Sequence, residues 1–216
     1  AILNALKLVS KSIERVRLVA SGAGAASIAC LRLLESLGLP RENMIVVDRN
    51  GVIYQGRDET MDKHKAWFAR DTALRTLGDA IIGADIFLGL SGPKILSQQM
   101  VEQMGQSPII LALANPTPEI MPEEALAARP DAIIATGRSD YPNQVNNVLC
   151  FPYLFRGALD VGATTINEDM KLACVQALAD LTMKEASDVV VAAYGGESMR
   201  FGAEYLIPKP FDPRLI

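Results

Sequence analysis

Short apolar runs alternate along this chain with longer stretches in which apolar residues recur every three or four positions. Residues 16–21, 44–48, 85–90, 108–114 and 132–136 read as five strands, each nearly continuous in Val, Ile, Leu, Phe or Ala. A continuous apolar run of that length fits a strand buried on both faces, whereas a half-buried strand alternates. The intervening segments 1–11, 25–37, 62–69, 74–82, 97–104 and 122–128 carry helical spacing, with Gly38 stopping the second and Pro122 opening the last. Proline is harmless at a first helical position, because its missing N–H has no partner there anyway. Asn50–Gly51 is a turn signal, which makes 52–54 a short hairpin arm.

The pattern changes after Thr136. Residues 137–147 are polar and loop-like, and 148–159 return to apolar helical spacing. Thr165-Ile-Asn-Glu168 matches a capping box ahead of a helix to Lys184, and 188–194 continue as helix. From Gly195 the chain is rich in Gly, Pro and charge and reads as an extended tail. Strands alternating with helices predict an α/β fold: a Rossmann-like, doubly wound, mainly parallel sheet with helices on both faces and extra C-terminal helices.

Composition narrows the possibilities. With half of its 216 residues hydrophobic and 21% charged, the chain has enough apolar side chains to pay for ordering, which excludes a disordered protein. The net charge of −4 supplies no basic surplus for phosphate backbones, so no nucleic-acid partner is expected. No apolar run approaches the ~18 residues that cross a bilayer. Cys30, Cys150 and Cys174 form no C-x-x-C pair and suit a reducing compartment, so a cytoplasmic location is expected. Because the chain begins at Ala1 and runs straight into helical spacing, a piece of a longer protein is expected.

Candidate chemistry gathers just past the strands, where open α/β sheets bind ligands. Gly22-Ala23-Gly24-Ala25-Ala26-Ser27 follows the first strand and opens a helix. The first glycine permits the tight turn, the second lets backbone approach a pyrophosphate, and the small sixth residue lets the helix pack close. The helix N-terminus then offers free N–H groups and partial positive charge to an anion. Asp48 ends the next strand, near the spacing at which a carboxylate accepts from ribose hydroxyls. Together these predict dinucleotide binding. The choice between NAD and NADP stays open: Asp48 would repel a 2′-phosphate, whereas Arg49 or Arg57 could hold one or be plain surface charge.

On this reading residues 1–216 form one unit: a leading helix over 1–15, the dinucleotide-binding core over 16–136, a substrate loop with C-terminal helices over 137–194, and the tail over 195–216. Ser91–Gly92 ends a central strand in small residues that let a cofactor pass close. Asn115, before Pro116, offers a donor and an acceptor to a polar substrate, or caps a turn. Asn146 and Asn147 open a helix, where one amide suffices as cap. No catalytic base is found: His64 lies among Asp62, Lys63 and Lys65 and reads as solvated. Glu123–Glu124 and Glu168–Asp169 sit at helix starts, where the dipole explains them, so no metal site is expected.

The stretches GAGAASIACLRLLESLGLP (22–40), VVDRNGVIYQGR (46–57), FLGLSGP (87–93), LALANPTPEIMPEEA (111–125) and ATGRSDYPNQVNNVLCFPYLFRGALDVGATTIN (135–167) together resemble malic enzymes, specifically the cofactor-binding half of the bacterial type. The tail from Ser198 is similar to the end of that domain. The resemblance implies oxidation of malate with NAD or NADP and decarboxylation to pyruvate with a divalent metal, Mg or Mn. It implies that Gly22, Gly24 and Ser27 hold the pyrophosphate, with Ala23, Ala25 and Ala26 in the same turn. Asp48 would meet the adenosine ribose beside Arg49, and Ser91 and Gly92 would line the cofactor path. Asn115 and Asn147 would hold malate, Asn115 also touching the cofactor, with Asn146 nearer the nicotinamide. The family's catalytic Tyr and Lys and its metal ligands belong to an N-terminal malic domain, so this chain is expected to bind dinucleotide yet turn over little malate alone. A homo-oligomer is likewise expected, with the apolar helices after Asn147 available for it. Another Rossmann dehydrogenase, or a non-catalytic dinucleotide-binding module, are the competing readings.

Overall fold

A computed structural model describes residues 1–185, 188–194 and 199–216. Six strands form one sheet: β1 (Leu18–Ser21), β2 (Met44–Asp48), β3 (Gly51–Val52), β4 (Ile86–Gly89), β5 (Ile109–Ala112) and β6 (Ile133–Thr136). Their order is β3-β2-β1-β4-β5-β6, and all neighbours are parallel except β3, which turns back antiparallel on β2 at one edge. The expected hairpin arm is therefore real but shorter, and it supplies the sixth strand.

The continuous apolar runs work because each strand is covered on both sides. Leu18, Ala20, Ile86, Leu88, Ile109 and Leu111 pack in one cluster with Ala5 and Leu6 of α1 (Ile2–Leu8) and Ile28, Leu31 and Leu34 of α2 (Ala25–Ser36). The alternate positions Val19, Phe87, Ile110 and Ala112 pack in a second cluster. Their partners there come from α4 (Leu77–Ile81), α5 (Gln98–Glu102) and α6 (Pro122–Ala128). Period-two alternation thus divides one apolar run between two layers.

Side-chain caps set the starts of several helices, and most helices are shorter than the spacing predicts. Asp62 accepts from the amides of His64 and Lys65, starting α3 (Lys63–Trp67). Thr76 and Asp79 form a reciprocal capping box on α4, and Ser97 caps α5. The leading helix ends at Leu8 rather than running to 15, and Ser10 just beyond has φ +56°. The box expected at Thr165 is not the cap of α8 (Glu168–Met183); Asn167 is, accepting from the Met170 amide. Ahead of it lie a 3-10 turn (Asn147–Leu149) and α7 (Phe151–Asp160), and α9 (Asp188–Ala193) follows.

The expected tail begins at residues outside the described ones, and from 199 it is docked rather than extended. The buried Asn143 donates to the Ala203 carbonyl and accepts from the Leu206 amide, while Asn4 donates to the Leu206 carbonyl. The chain runs from β1 outward to β2 and β3, then returns to β4 on the other side of β1. The loops after β1 and β4 consequently diverge and leave a crevice at the carboxyl ends of the strands.

Candidate functional site

The turn after β1 is built around Gly22. Its φ is +106°, and a Cβ there would stand 2.4 Å from the Leu90 carbonyl oxygen, so no side chain fits. Its N–H donates to the Val47 carbonyl at 2.8 Å, tying the turn to β2. Gly24 is the N-cap of α2, nothing lies within 4 Å of where its Cβ would be, and no side chain caps the helix. The first amides of α2 are therefore left for solvent or a ligand. Ser27 is buried, and its hydroxyl has no partner, so it sits behind the turn as the small residue that lets α2 pack closely.

A cavity of about 1120 Å³ spreads over this turn, lined by Ser21, Gly22, Ala23 and Gly24, by Val47 to Gly51, and by Ser91 and Gly92. Lys65, Arg75, Thr76 to Gly78, Ile95 and Met100 complete it. Ala25, Ala26, Asn115, Asn146 and Asn147 do not line it, although all five are exposed.

Asp48 is not the free ribose acceptor that the spacing predicts. Oδ1 accepts from Arg57 Nη2 at 2.8 Å and from the Asn50 amide at 2.9 Å. Oδ2 accepts from Arg57 Nη2 at 2.6 Å and from Lys65 Nζ at 2.9 Å. A carboxylate has about four acceptor positions, and all are taken. Burial acts to raise its pKa, but the bonds from Arg57 and Lys65 outweigh it and hold the carboxyl below its ordinary range. Arg57 is equally spent: 3% exposed at its side chain, it also donates to the carbonyls of Gly51, Val52 and Glu59. Arg49 stands exposed and forms no ion pair among the described residues. Arg75 lies with its guanidinium 3.8 Å over the Tyr54 ring.

The loops after β4 and β5 are joined by a carboxylate the sequence reading missed. Glu119 is fully buried; Oε1 accepts from the Ser91 amide at 3.1 Å and Oε2 from the Ala114 amide at 3.0 Å. A Cβ on Gly89 would stand 2.4 Å from Glu119 Cδ, so the strand must end in glycine for the carboxylate to enter. Ser91 Oγ also meets Ser21 Oγ at 3.0 Å, linking the ends of β4 and β1. Beyond β5, the Asn115 amide lies against Gly137, where a Cβ would come within 2.9 Å of it. Asn146 is the cap, accepting from the Val148 amide, which leaves the Asn147 side chain uncommitted to capping. Lys65 and Glu119 gave little signal: the first is hidden in a charged helix, the second between Pro118 and Ile120. His64 is exposed, as expected.

The profile of the family described as "Malic enzyme, NAD binding domain" matches residues 1–191. The chain belongs to that family. It is 66% identical over its whole length to the NADP-dependent malic enzyme of Haemophilus influenzae, covering 29% of that protein. It is 59% identical over its whole length to the NAD-dependent malic enzyme of Rhizobium meliloti, covering 28% of it. The crystal structure of Entamoeba histolytica malic enzyme superimposes with a TM-score of 0.85 at 34% identity, over 99% of this chain and 43% of that one. The chain thus spans under a third of the curated relatives named here. Among the described residues of this malic-enzyme segment, no group of three or more His, Cys, Asp and Glu is placed to hold a metal ion. No helix among them is long and apolar enough to cross a membrane.

Proposed function

We propose that the chain is the cofactor-binding part of a malic enzyme, one unit over 1–216 that prefers NADP to NAD. The observation that carries this reading is the Gly22 turn, which leaves the uncapped N-terminus of α2 beside the large cavity. Bound there, the dinucleotide supplies the hydride acceptor for oxidative decarboxylation of malate to pyruvate and CO2. Gly22 to Ala26 seat the pyrophosphate through backbone N–H groups, helped by the positive end of the helix dipole. Ser27 acts from behind, by close packing.

The preference for NADP is supported by what surrounds Asp48. A saturated carboxylate has no acceptor left for the ribose hydroxyls, and Arg57 and Lys65 neutralise it. Arg49, Lys65 and Arg75 line the cavity, and Lys65 keeps one N–H beyond those it gives to Asp48 and the Thr60 carbonyl, so these cations suit a 2′-phosphate. Asp48 then acts as the anchor that positions Lys65. Ser91 and Gly92 line the cofactor path. Asn115 and Asn147 present amides that donate and accept, as a hydroxyl flanked by carboxylates requires, and Asn146 lies nearer the nicotinamide.

The proton donor, the base and the Mg or Mn ligands are assigned to an N-terminal malic domain of the parent enzyme. That enzyme is proposed to be a cytoplasmic homo-oligomer, for which the exposed Phe151, Phe155 and Leu159 of α7 offer an apolar stripe. Parallel calorimetric titrations of the chain with NADP and NAD test the cofactor reading. Lys65→Ala removes a charge-assisted bond worth ~1.5–3 kcal/mol, which weakens NADP binding about 10- to 100-fold and leaves NAD nearly unchanged. Equal losses for the two cofactors would refute the assignment, and robust pyruvate formation from the chain alone with malate, Mn and NADP would refute the division of labour.

A further inference from the structure

Cys150 and Cys174 lie outside the cofactor cavity, and nothing above gives them a role. Cys150 closes the 3-10 turn that begins at Asn147: its amide donates to the Asn147 carbonyl at 3.1 Å, and its own carbonyl accepts the Leu154 amide of α7. Cys174 sits in α8 and lines a separate cavity of about 610 Å³ between α7 and α8. Their sulfurs are 3.4 Å apart, and neither residue is fully buried. A disulfide needs the sulfurs at about 2.05 Å, so the pair must close by only ~1.3 Å.

We propose that Cys150 and Cys174 form a reactive dithiol, a modification site that a peroxide converts to a disulfide bracing the Asn147 turn against α8. The Cys150 thiolate attacks one peroxide oxygen; the S–O bond forms, the O–O bond breaks and water leaves after protonation. Cys174 sulfur then attacks the sulfenic sulfur, the S–S bond forms, and the hydroxyl departs as a second water carrying the Cys174 proton. Two thiols are oxidised and one peroxide is reduced. The order follows from the pair's own chemistry: the hydrogen bond from Cys174 brings the Cys150 thiol down to about 7, while Cys174 is pushed up. Cys30 is a contrast within the same chain, packed against the apolar core with burial pushing its thiol up.

The test uses the chain itself and needs no cofactor, so it stands apart from the NADP reading. One equivalent of hydrogen peroxide should lower the thiol count in denaturant from three to one, with a single proteolytic product joining Cys150 to Cys174. Dithiothreitol should restore all three. Cys30→Ser should still lose two thiols, and should bind phenylarsine oxide, which requires neighbouring thiols; Cys30→Ser combined with Cys174→Ser should do neither. Amide exchange over residues 147–154 should slow on oxidation. Disulfide-linked dimers, a link through Cys30, a persistent sulfenic acid at Cys150, or exchange that does not change would each overturn the proposal.

Discussion

Replacing Glu119 by Gln tests whether one buried carboxylate holds the two loops that border the cavity. The side chain has no exposed surface and receives two backbone amides, from Ser91 and Ala114, one on each oxygen. Gln keeps the shape but offers one acceptor only. Its NH2 must face one of those N–H groups, which loses a hydrogen bond to a charged group, worth ~1.5–3 kcal/mol, and strands a buried donor at ~1–3 kcal/mol. Relief from burying a charge offsets part of this, leaving a net loss of ~2–4 kcal/mol. With a urea slope of ~2–3 kcal/mol per molar, the unfolding midpoint followed by circular dichroism falls by about 1 M. Ser91 borders the cavity, so dinucleotide affinity falls in parallel. Glu102, exposed on α5, is the control, and Glu102→Gln leaves both quantities within error. A Glu119→Gln midpoint within ~0.2 M of the parent, with unchanged affinity, would show that the amides find other partners and that the tie is dispensable.

Two other perturbations probe the turn and the charge pairing. Gly22→Ala forces a Cβ against the Leu90 carbonyl at φ +106°, at a cost of ~2–5 kcal/mol, and NADP titration should show binding lost. Asp131, held by the Arg129 fork and also by the Ser107 amide, has its carboxyl lowered to about 2. A depressed folded-state pKa contributes stability above the unfolded value of ~3.9 and loses it as pH falls toward 2. Urea midpoints measured from pH 6 to pH 2 should therefore show the parent's advantage over Asp131→Asn shrinking below about pH 4; an advantage constant across that range would refute the pairing.

The fold was legible because its signal is local. Five apolar runs of strand length, separated by helical spacing, leave a doubly wound sheet as the economical way to bury both faces of every strand, and Gly22 marks its own turn by being glycine. Helix ends were less legible, since the sequence holds several possible caps for each end; Asn167 rather than Thr165 starts α8 because its oxygen reaches the Met170 amide.

The environment of each charge had to wait for the tertiary structure. Asp48 stands at the expected spacing in the sequence, yet whether its oxygens are free depends on Arg57 and Lys65, 9 and 17 residues away, which the turns after β3 bring back. Glu119 acquires its meaning only when β4 and β5 lie side by side and present two amides to it. Cys150 and Cys174 are 24 residues apart and meet only because α7 packs on α8. Pattern determines which faces are apolar, because burial is additive along the chain; partners of charged and reactive groups are decided by approach across it.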